Sequence, residues 1–270
     1  MKPKLTIIIS AYNNEQYIEK AIHSVLMQSL TKWEMFIIND ASDDHTGEII
    51  RKLIANDKRV TYIENTERMG ITFNIKRLIS LSRTELIARV DGDDYWLDSN
   101  KLAEQYDIMK NDTSLGMVGT WARIVDSNDK DLYTIEYPVD DDKMRSRILY
   151  ENPFVTSSIV FRKPVTSDLK NILPANKHAD DFNLVLEIGR KLKFNNVPKY
   201  YTAYRINPNG ISQSKYTQQI SDTMNIVRKY KKDYPGYIKA LFLWTLRKHY
   251  PIWLKGKLSM LIKRTFKYYQ

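Results

Sequence analysis

The sequence contains no cysteine, which excludes disulfides, thiolate nucleophiles and cysteine-bound zinc. Its four histidines are scattered, with no pair at helical ligand spacing, so a histidine metal cluster is not expected. Any metal must therefore be held mainly by oxygen. Long hydrophobic runs are missing too: no stretch approaches the roughly eighteen uncharged residues that a membrane span needs. The first apolar run, Leu5 to Ile9, is too short for the core of a secretion signal and gives way to polar Ser10, Asn13 and Asn14. A cytoplasmic location is expected.

What is present is ample apolar surface. Hydrophobic residues make up 43% of the 270 residues and aromatics 11%, enough to offset the entropy of ordering the chain. That length allows one large α/β domain with appendages, or two small domains. The formal net charge of +10 points to an anionic partner, but its distribution is uneven. From Lys215 to Gln270, thirteen Lys and Arg stand against Asp222 and Asp233, so residues 1–214 are close to neutral.

The first half alternates strand and helix. Leu5 to Ser10 is β-branched and bounded by turn formers, as in a strand buried on both faces. Asn13 or Asn14 is expected to cap a helix bearing Ile18, Ala21, Ile22, Val25 and Leu26 at helical spacing. Met35 to Ile38 predicts a second strand, and Ser42 a further cap with Asp43 and Asp44 in the first turn. Val60 to Glu64 and Glu85 to Val90 predict strands flanking a helix over Phe73 to Leu81. The alternation predicts a parallel, doubly wound sheet.

Beyond Tyr95 the pattern loosens. Helices are expected from Asp98 or Ser99 to about Lys110, from Val139 to Tyr150 and from Asp180 to Leu192. Strands are expected over Gly116 to Val125 and Asp131 to Tyr137, as an antiparallel pair, then Ser157 to Arg162 and Val197 to Tyr204. Pro208-Asn209-Gly210 marks a turn, so residues 1–214 are expected to form the core, divided at 97, and 215–270 a basic helical tail.

Ligands of a parallel sheet bind beyond the carboxyl ends of its strands, and polar residues gather there: Ser10 to Asn14, Asn39 to Asp44, and Asp91-Gly92-Asp93-Asp94. Asp91 and Asp93 can aim two carboxylates at one point, with Gly92 relieving the turn. Two carboxylates suit a hard cation, Mn²⁺ or Mg²⁺, that completes its shell with water and a diphosphate. The same tripeptide is also ordinary turn chemistry.

These clusters together resemble the inverting family 2 glycosyltransferases with a GT-A fold, which include many enzymes of bacterial surface polysaccharides. The resemblance spans about residues 4–212 and rests on Ile7-Ile8-Ile9-Ser10-Ala11-Tyr12-Asn13, Asp40-Ala41-Ser42-Asp43-Asp44, Asn65 through Arg68-Met69-Gly70, Asp91-Gly92-Asp93-Asp94 and the closing segment Tyr204 to Ser212. It implies a doubly wound, mostly parallel nucleotide-binding sheet, a smaller mixed acceptor-side region and transfer of a sugar from a nucleotide donor, a UDP-sugar, to a glycan or lipid-linked acceptor. It also implies nucleotide contacts from Ser10, Tyr12, Asn13 and Asp40, with Asp91 beside them. Arg68 would reach the diphosphate or ribose, or lie on the surface. Arg205 and Ser212 would lie near the diphosphate, and Asp93 and Asp91 would hold the metal.

The family's acidic pair ahead of a helix stands here as Asp180-Asp181-Phe182. It implies Asp181 as general base with Asp180 beside it, unless both serve as helix N-terminal acids. Asn207 stands where relatives often carry His. The Gln-x-x-Arg-Trp signature of processive synthases is missing, which implies one sugar per encounter.

Two rival readings differ in class. A sugar nucleotidylyltransferase would carry a Gly-x-Gly-x-Arg loop where Ser10-Ala11-Tyr12-Asn13 stands. A non-enzymatic adaptor acting through the basic tail would leave the acidic clusters unexplained, and with no nucleic-acid motif in the chain a nucleic-acid partner is not expected. In the tail, Leu254, Leu258, Leu261, Ile262 and Thr265 fall opposite Lys257, Lys263, Arg264 and Lys267 on a helical wheel. Trp244, Trp253, Tyr268 and Tyr269 add amphipathic rings. Residues 236–270 are thus expected to meet an anionic membrane surface, peripherally at the inner face of the cell membrane, or else to pack on the core.

Overall fold

The computed structural model describes residues 2–164, 169, 173, 180–206 and 216–249. Ser212, Asn207, the expected boundary around residues 210–216 and the amphipathic stretch 251–270 lie outside these residues, as does the side chain of Asp180.

Strands β1 (Leu5–Ala11), β2 (Trp33–Asn39), β3 (Val60–Glu64) and β4 (Leu86–Arg89) pair in parallel in the order β3-β2-β1-β4. Their side chains separate by strand period. Ile7 and Ile9 join Met35 and Ile37 beneath helices α1 (Ile18–Leu26) and α2 (Thr46–Ile54), whereas Ile8 joins Phe36, Ile38 and Ile87 beneath α3 (Ile71–Leu81). Helices therefore cover both faces, as the alternation predicts.

The sheet then changes character. After β5 (Tyr95–Trp96) and α4 (Lys101–Asn111) come β6 (Leu115–Val125), β7 (Asp131–Ile135), the short helix α5 (Asp141–Arg145), a 3-10 turn at Thr156–Ser158 and β8 (Val160–Arg162). Strand β8 runs antiparallel between β4 and β6, β7 pairs antiparallel with β6, and β9 (Lys193–Arg205) runs parallel to β6 and antiparallel to β5. The result is one continuous sheet with a parallel half and a mixed half.

Several expected boundaries are corrected. Helix α1 begins at Ile18 and receives no side-chain cap from Asn13 or Asn14. Helix α2 begins at Thr46, four residues beyond Ser42, whose hydroxyl is committed to Asn39 and to the backbone N–H of Asn13. The helix expected over Val139 to Tyr150 stops at Arg145, because Ile148, Leu149 and Tyr150 are buried consecutively, which a helix lying on a surface cannot do.

The basic region is also more integrated than a tail. Helix α6 (Asp180–Gly189) and α7 (Tyr216–Lys229) share one core cluster, in which Ile226, Val227 and Tyr230 meet Phe182, Leu184 and Val185. Helix α8 (Tyr237–His249) leans on the same cluster through Ala240, Leu243 and Trp244. Its Trp244 Nε1 donates to the Leu149 carbonyl at 2.9 Å and Arg247 Nη1 to the Tyr150 carbonyl at 3.0 Å. The region as far as His249 thus packs on the body. Among the described residues no helix is long and apolar enough to cross a membrane.

Candidate active site

Register places the strand ends on one edge. Ala11 lies opposite Asn39, and Asn39 opposite Glu64, so the loops after β1 and β2 emerge side by side. They are laced together by bonds between side chains and backbone. Ser42 Oγ accepts from Asn13 N at 3.0 Å, Asn13 Oδ1 from Asp43 N at 3.2 Å, Thr46 Oγ1 from Asn14 N at 2.8 Å and Asp44 Oδ2 from Glu15 N at 3.0 Å. Asn13 (φ 51°) and Ala41 (φ 55°) both adopt the left-handed conformation. For a non-glycine residue that conformation costs about 1 kcal/mol or more and persists where neighbours enforce it.

Asp40 lies at the root of this edge and is 3% exposed. Its Oδ1 accepts from Asn65 Nδ2 at 2.8 Å and Met69 N at 2.9 Å, and its Oδ2 from Gly70 N at 2.8 Å. Burial pushes its carboxyl up, but the Asn74 amide beside it together with these donors outweighs that and holds it below the usual carboxylate range. Gly70, at φ 87°, provides a backbone turn that other residues rarely adopt. Asp40 thus organises the loop that presents Arg68, whose guanidinium stacks 3.9 Å from the centre of the Tyr12 ring. Of the residues expected at the nucleotide, Tyr12 and Arg68 are brought into contact, while Ser10 is buried at the end of β1.

The acidic loop after β4 forms the other wall. Arg89 Nε donates to Asp91 Oδ1 at 3.0 Å. Ser157 Oγ accepts from Asp91 N at 3.0 Å and donates to Asp94 Oδ2, while Arg205 N donates to Asp94 Oδ1 at 2.7 Å. Burial, and then the Asp91 carboxylate, push the Asp93 carboxyl up to about 6, and burial with both neighbouring acids raises Asp94 well above the ordinary range. Gly92 is required here for space rather than for the turn, since a Cβ at this position would lie 2.6 Å from Asn14 Oδ1.

This donor set fits a hard divalent cation. Two neighbouring carboxylates, one driven toward protonation by burial and mutual repulsion, form a site that a cation would relieve. Among the described residues no third acidic or histidine ligand joins them, so the remaining ligands would come from water and phosphate oxygens.

Arg205 is held from several sides. Its side chain is 1% exposed. Its Nε donates to the Asp93 carbonyl at 2.9 Å, Nη1 to the Asp126 carbonyl at 2.8 Å and Nη2 to Asp129 Oδ1 at 2.7 Å, and its plane lies 4.2 Å from the Tyr17 ring centre. These contacts clamp the acidic loop against the Asp126–Asp129 turn.

On the acceptor side, Thr156 Oγ1 donates to Asp181 Oδ2 at 2.9 Å. Thr156 stands next to Ser157, so a single 3-10 turn joins Asp181 to Asp91 and Asp94. That turn is firmly fixed. Trp96 Nε1 donates to the Ser157 carbonyl at 2.8 Å, and Gln105 Nε2 to the Ser158 carbonyl at 2.9 Å. Gln105 also accepts from the buried Lys101 Nζ at 2.7 Å, and burial holds that amine well below its ordinary range. Thr156, Ser157 and Arg89 are site residues that the sequence motifs do not single out. Their only local signal is a Thr-Ser-Ser run set between apolar Phe154-Val155 and Ile159-Val160.

With this geometry in place, comparison with known proteins is decisive. The family model for Glycosyl transferase family 2 matches residues 6–168, more than half of the chain. The chain belongs to this family. An uncharacterized glycosyltransferase of Haemophilus influenzae is 25% identical over 240 residues, covering 84% of this chain and 72% of that protein. The O-antigen biosynthesis glycosyltransferase WbnJ of Escherichia coli is 26% identical over 220 residues, covering 78% and 82%. The putative teichuronic acid biosynthesis glycosyltransferase TuaG of Bacillus subtilis is 33% identical over 108 residues, covering 40% and 42%.

Two solved structures share the fold of this family 2 glycosyltransferase. S. aureus TarS 1-349 in complex with UDP-GlcNAc superposes with a TM-score of 0.68 at 18% identity, covering 88% of this chain and 69% of that one. The mannosyltransferase PcManGT from Pyrobaculum calidifontis in complex with GDP-Man and Mn²⁺ superposes at 0.64 and 17% identity, covering 92% and 70%. The layout is GT-A.

Proposed function

We propose that this family 2 glycosyltransferase moves a sugar from a uridine-diphosphate donor to a hydroxyl of a lipid-linked surface glycan, at the inner face of the cell membrane and with inversion at the anomeric carbon. The observation that carries this reading is the Thr156-Ser157 turn. It bonds the candidate base Asp181 on one side and the acidic loop of Asp91 and Asp94 on the other, so acceptor and donor chemistry would meet across it.

Tyr12, with Arg68 stacked on its ring, offers a partly exposed platform for the base. Asp40 already accepts three hydrogen bonds, yet a carboxylate has about four lone-pair sites, which leaves capacity for the N3–H of uracil. Asp93 and Asp91 would hold Mn²⁺ or Mg²⁺, which when bound neutralises charge on the leaving diphosphate. Asp181 takes the proton of the acceptor hydroxyl as its oxygen bonds to the anomeric carbon. The bond from that carbon to the diphosphate breaks on the opposite face, and the nucleoside diphosphate leaves with the bonding pair.

The placement on surface glycans is supported by the names of relatives in O-antigen and teichuronic acid synthesis. The uridine assignment is the finer part, since neighbours of this fold bind UDP-GlcNAc in one case and GDP-Man in another. Nucleoside diphosphate release across a panel of UDP-, GDP- and dTDP-sugars with Mn²⁺ tests it. Turnover is expected with a UDP-sugar, and turnover with GDP-sugars alone would reject uridine.

A further inference from the structure

Helix α8 has two unlike faces. Ala240, Leu243 and Trp244 turn inward onto the core, while Ile238 and Phe242, one turn apart, are 78% and 63% exposed. Thr245 and His249 continue the outward stripe at helical spacing, and Lys239 and Lys248 beside it are exposed. The chain leading into α8 adds exposed Arg228, Lys229, Lys231 and Lys232. Of the two acids of this region, Asp222 is buried and Asp233 is paired with Arg190 at 3.2 Å.

We propose that this face of α8 docks on an anionic lipid surface, with Ile238 and Phe242 entering the boundary between headgroups and acyl chains while the surrounding lysines meet lipid phosphates. Two large apolar side chains left in water cost hydration free energy that an interface removes. The cationic surroundings select a negatively charged surface over a neutral one. The inference deepens the proposed place of action at the membrane, names the surface responsible, and is read independently of sugar transfer. Because the inward face already anchors α8 to the body, docking here would hold the catalytic domain directly on the bilayer rather than on a loose tether.

The chain has no native cysteine, so Phe242→Cys in the full chain carries a single environment-sensitive NBD label, with Lys52→Cys as an exposed control. Phosphatidylcholine vesicles with and without about one-third phosphatidylglycerol are the probes. A blue shift at position 242 with anionic vesicles, absent at position 52 and reversed by high salt, is expected.

In co-sedimentation, Ile238→Ser/Phe242→Ser is expected to weaken partitioning about tenfold, and Lys231→Gln/Lys232→Gln/Lys248→Gln by about a hundredfold, since each lysine near an anionic leaflet contributes roughly fivefold. All five positions are exposed, so circular dichroism should match the parent. Binding unaltered by both variants, or equal binding to neutral vesicles, would overturn the proposal. So would an NBD shift that follows protein concentration without vesicles, which would make this face a contact between copies of the chain. Vesicle binding without nucleoside diphosphate release would leave the surface standing and remove the transferase reading instead.

Discussion

The two sides of the site are held in different ways. On the proposed donor side the loops after β1 and β2 brace each other through the side chains of Asn13, Ser42, Asp44 and Thr46, each accepting from a backbone N–H of the opposite loop. On the acceptor side, Asp181 is anchored among the described residues by one side-chain bond, from Thr156. A nucleoside diphosphate makes the same demands whatever the acceptor, and a stiff, pre-formed frame meets them at little cost in ordering on binding. Among the described residues the candidate base meets that frame through Thr156, so the surroundings of Asp181 could vary while it stays in register with the acidic loop.

Removing the metal ligands should break this division most severely. Asp93→Asn is expected to lower turnover about a thousandfold or more, because stabilisation of the leaving group by a cation contributes several kcal/mol. Excess chelator should do the same to the parent. Circular dichroism should show an unchanged fold, since the acidic loop keeps the Ser157 and Arg205 bonds. Full activity in chelator would reject the two-carboxylate site.

Asp181→Asn should strike the other side alone. A general base contributes roughly a hundred- to ten-thousandfold, so kcat should fall by that order while donor affinity, measured by calorimetry with the nucleoside diphosphate, stays near that of the parent. Collapse of donor binding would mean that the two sides are not separable. If Asp180→Asn alone abolished turnover, the roles within the acidic pair would be exchanged.

How much of this was legible in the sequence follows from the range of the interactions. Strands β1 and β2 lie within two residues of their apolar runs, because burial on both faces writes itself into consecutive positions, whereas the edge strand β3, half-buried to exposed, falls where its β-branched and aromatic residues place it. The cap at Ser42 misleads because its hydroxyl is used across two loops, on Asn13, rather than on its own helix. Strand β9 runs through Pro198 and starts four residues earlier than its apolar pattern, since β6 supplies partners from Leu115 onward and the register slips near the proline. In the site, Asp91 and Asp93 stand out locally. Thr156 and Ser157 become visible only when residues more than sixty positions apart meet at one turn. Arg205 lies in a recognisable segment, but its work as a clamp depends on Asp126 and Asp129, which a motif does not show.

Arg205 sharpens the comparison from the side of stability. Arg205→Met would take the donor from the Asp93 carbonyl and one donor each from the Asp126 carbonyl, which keeps Asp129 N at 3.2 Å, and from Asp129, which keeps Lys20 at 2.8 Å. Asp129 is 38% exposed and keeps its lysine, so the loss is mainly of the hydrogen bonds to the buried carbonyls, about 1.5–3 kcal/mol each for a charged donor. Urea unfolding should show a loss of about 3 kcal/mol, a smaller consequence than loss of the metal ligands if the remaining folded enzyme is assayed. Arg205→Lys should recover only part of it, because an ammonium cannot span three acceptors with a planar fork. A variant of parental stability that loses donor affinity would return Arg205 to the diphosphate.

The smallest expected effect is the most discriminating. Thr156→Val keeps the shape of the side chain and removes only the hydroxyl that donates to Asp181. A hydrogen bond to a charged group contributes about 1.5–3 kcal/mol. Solvent can replace part of it at this half-buried position, so kcat should fall about tenfold. If Thr156 is a positioning group for the base, the loss should appear in kcat, leave the KM for the donor nearly unchanged, and be largely restored by Thr156→Ser, which returns the hydroxyl without the methyl. In Asp181→Asn, Thr156→Val should add little, because the group it positions has already lost its function and effects within one unit are not additive. Equal losses from Thr156→Val in both backgrounds would show that the hydroxyl acts elsewhere, and a rise in donor KM would place it on the donor side with Ser157.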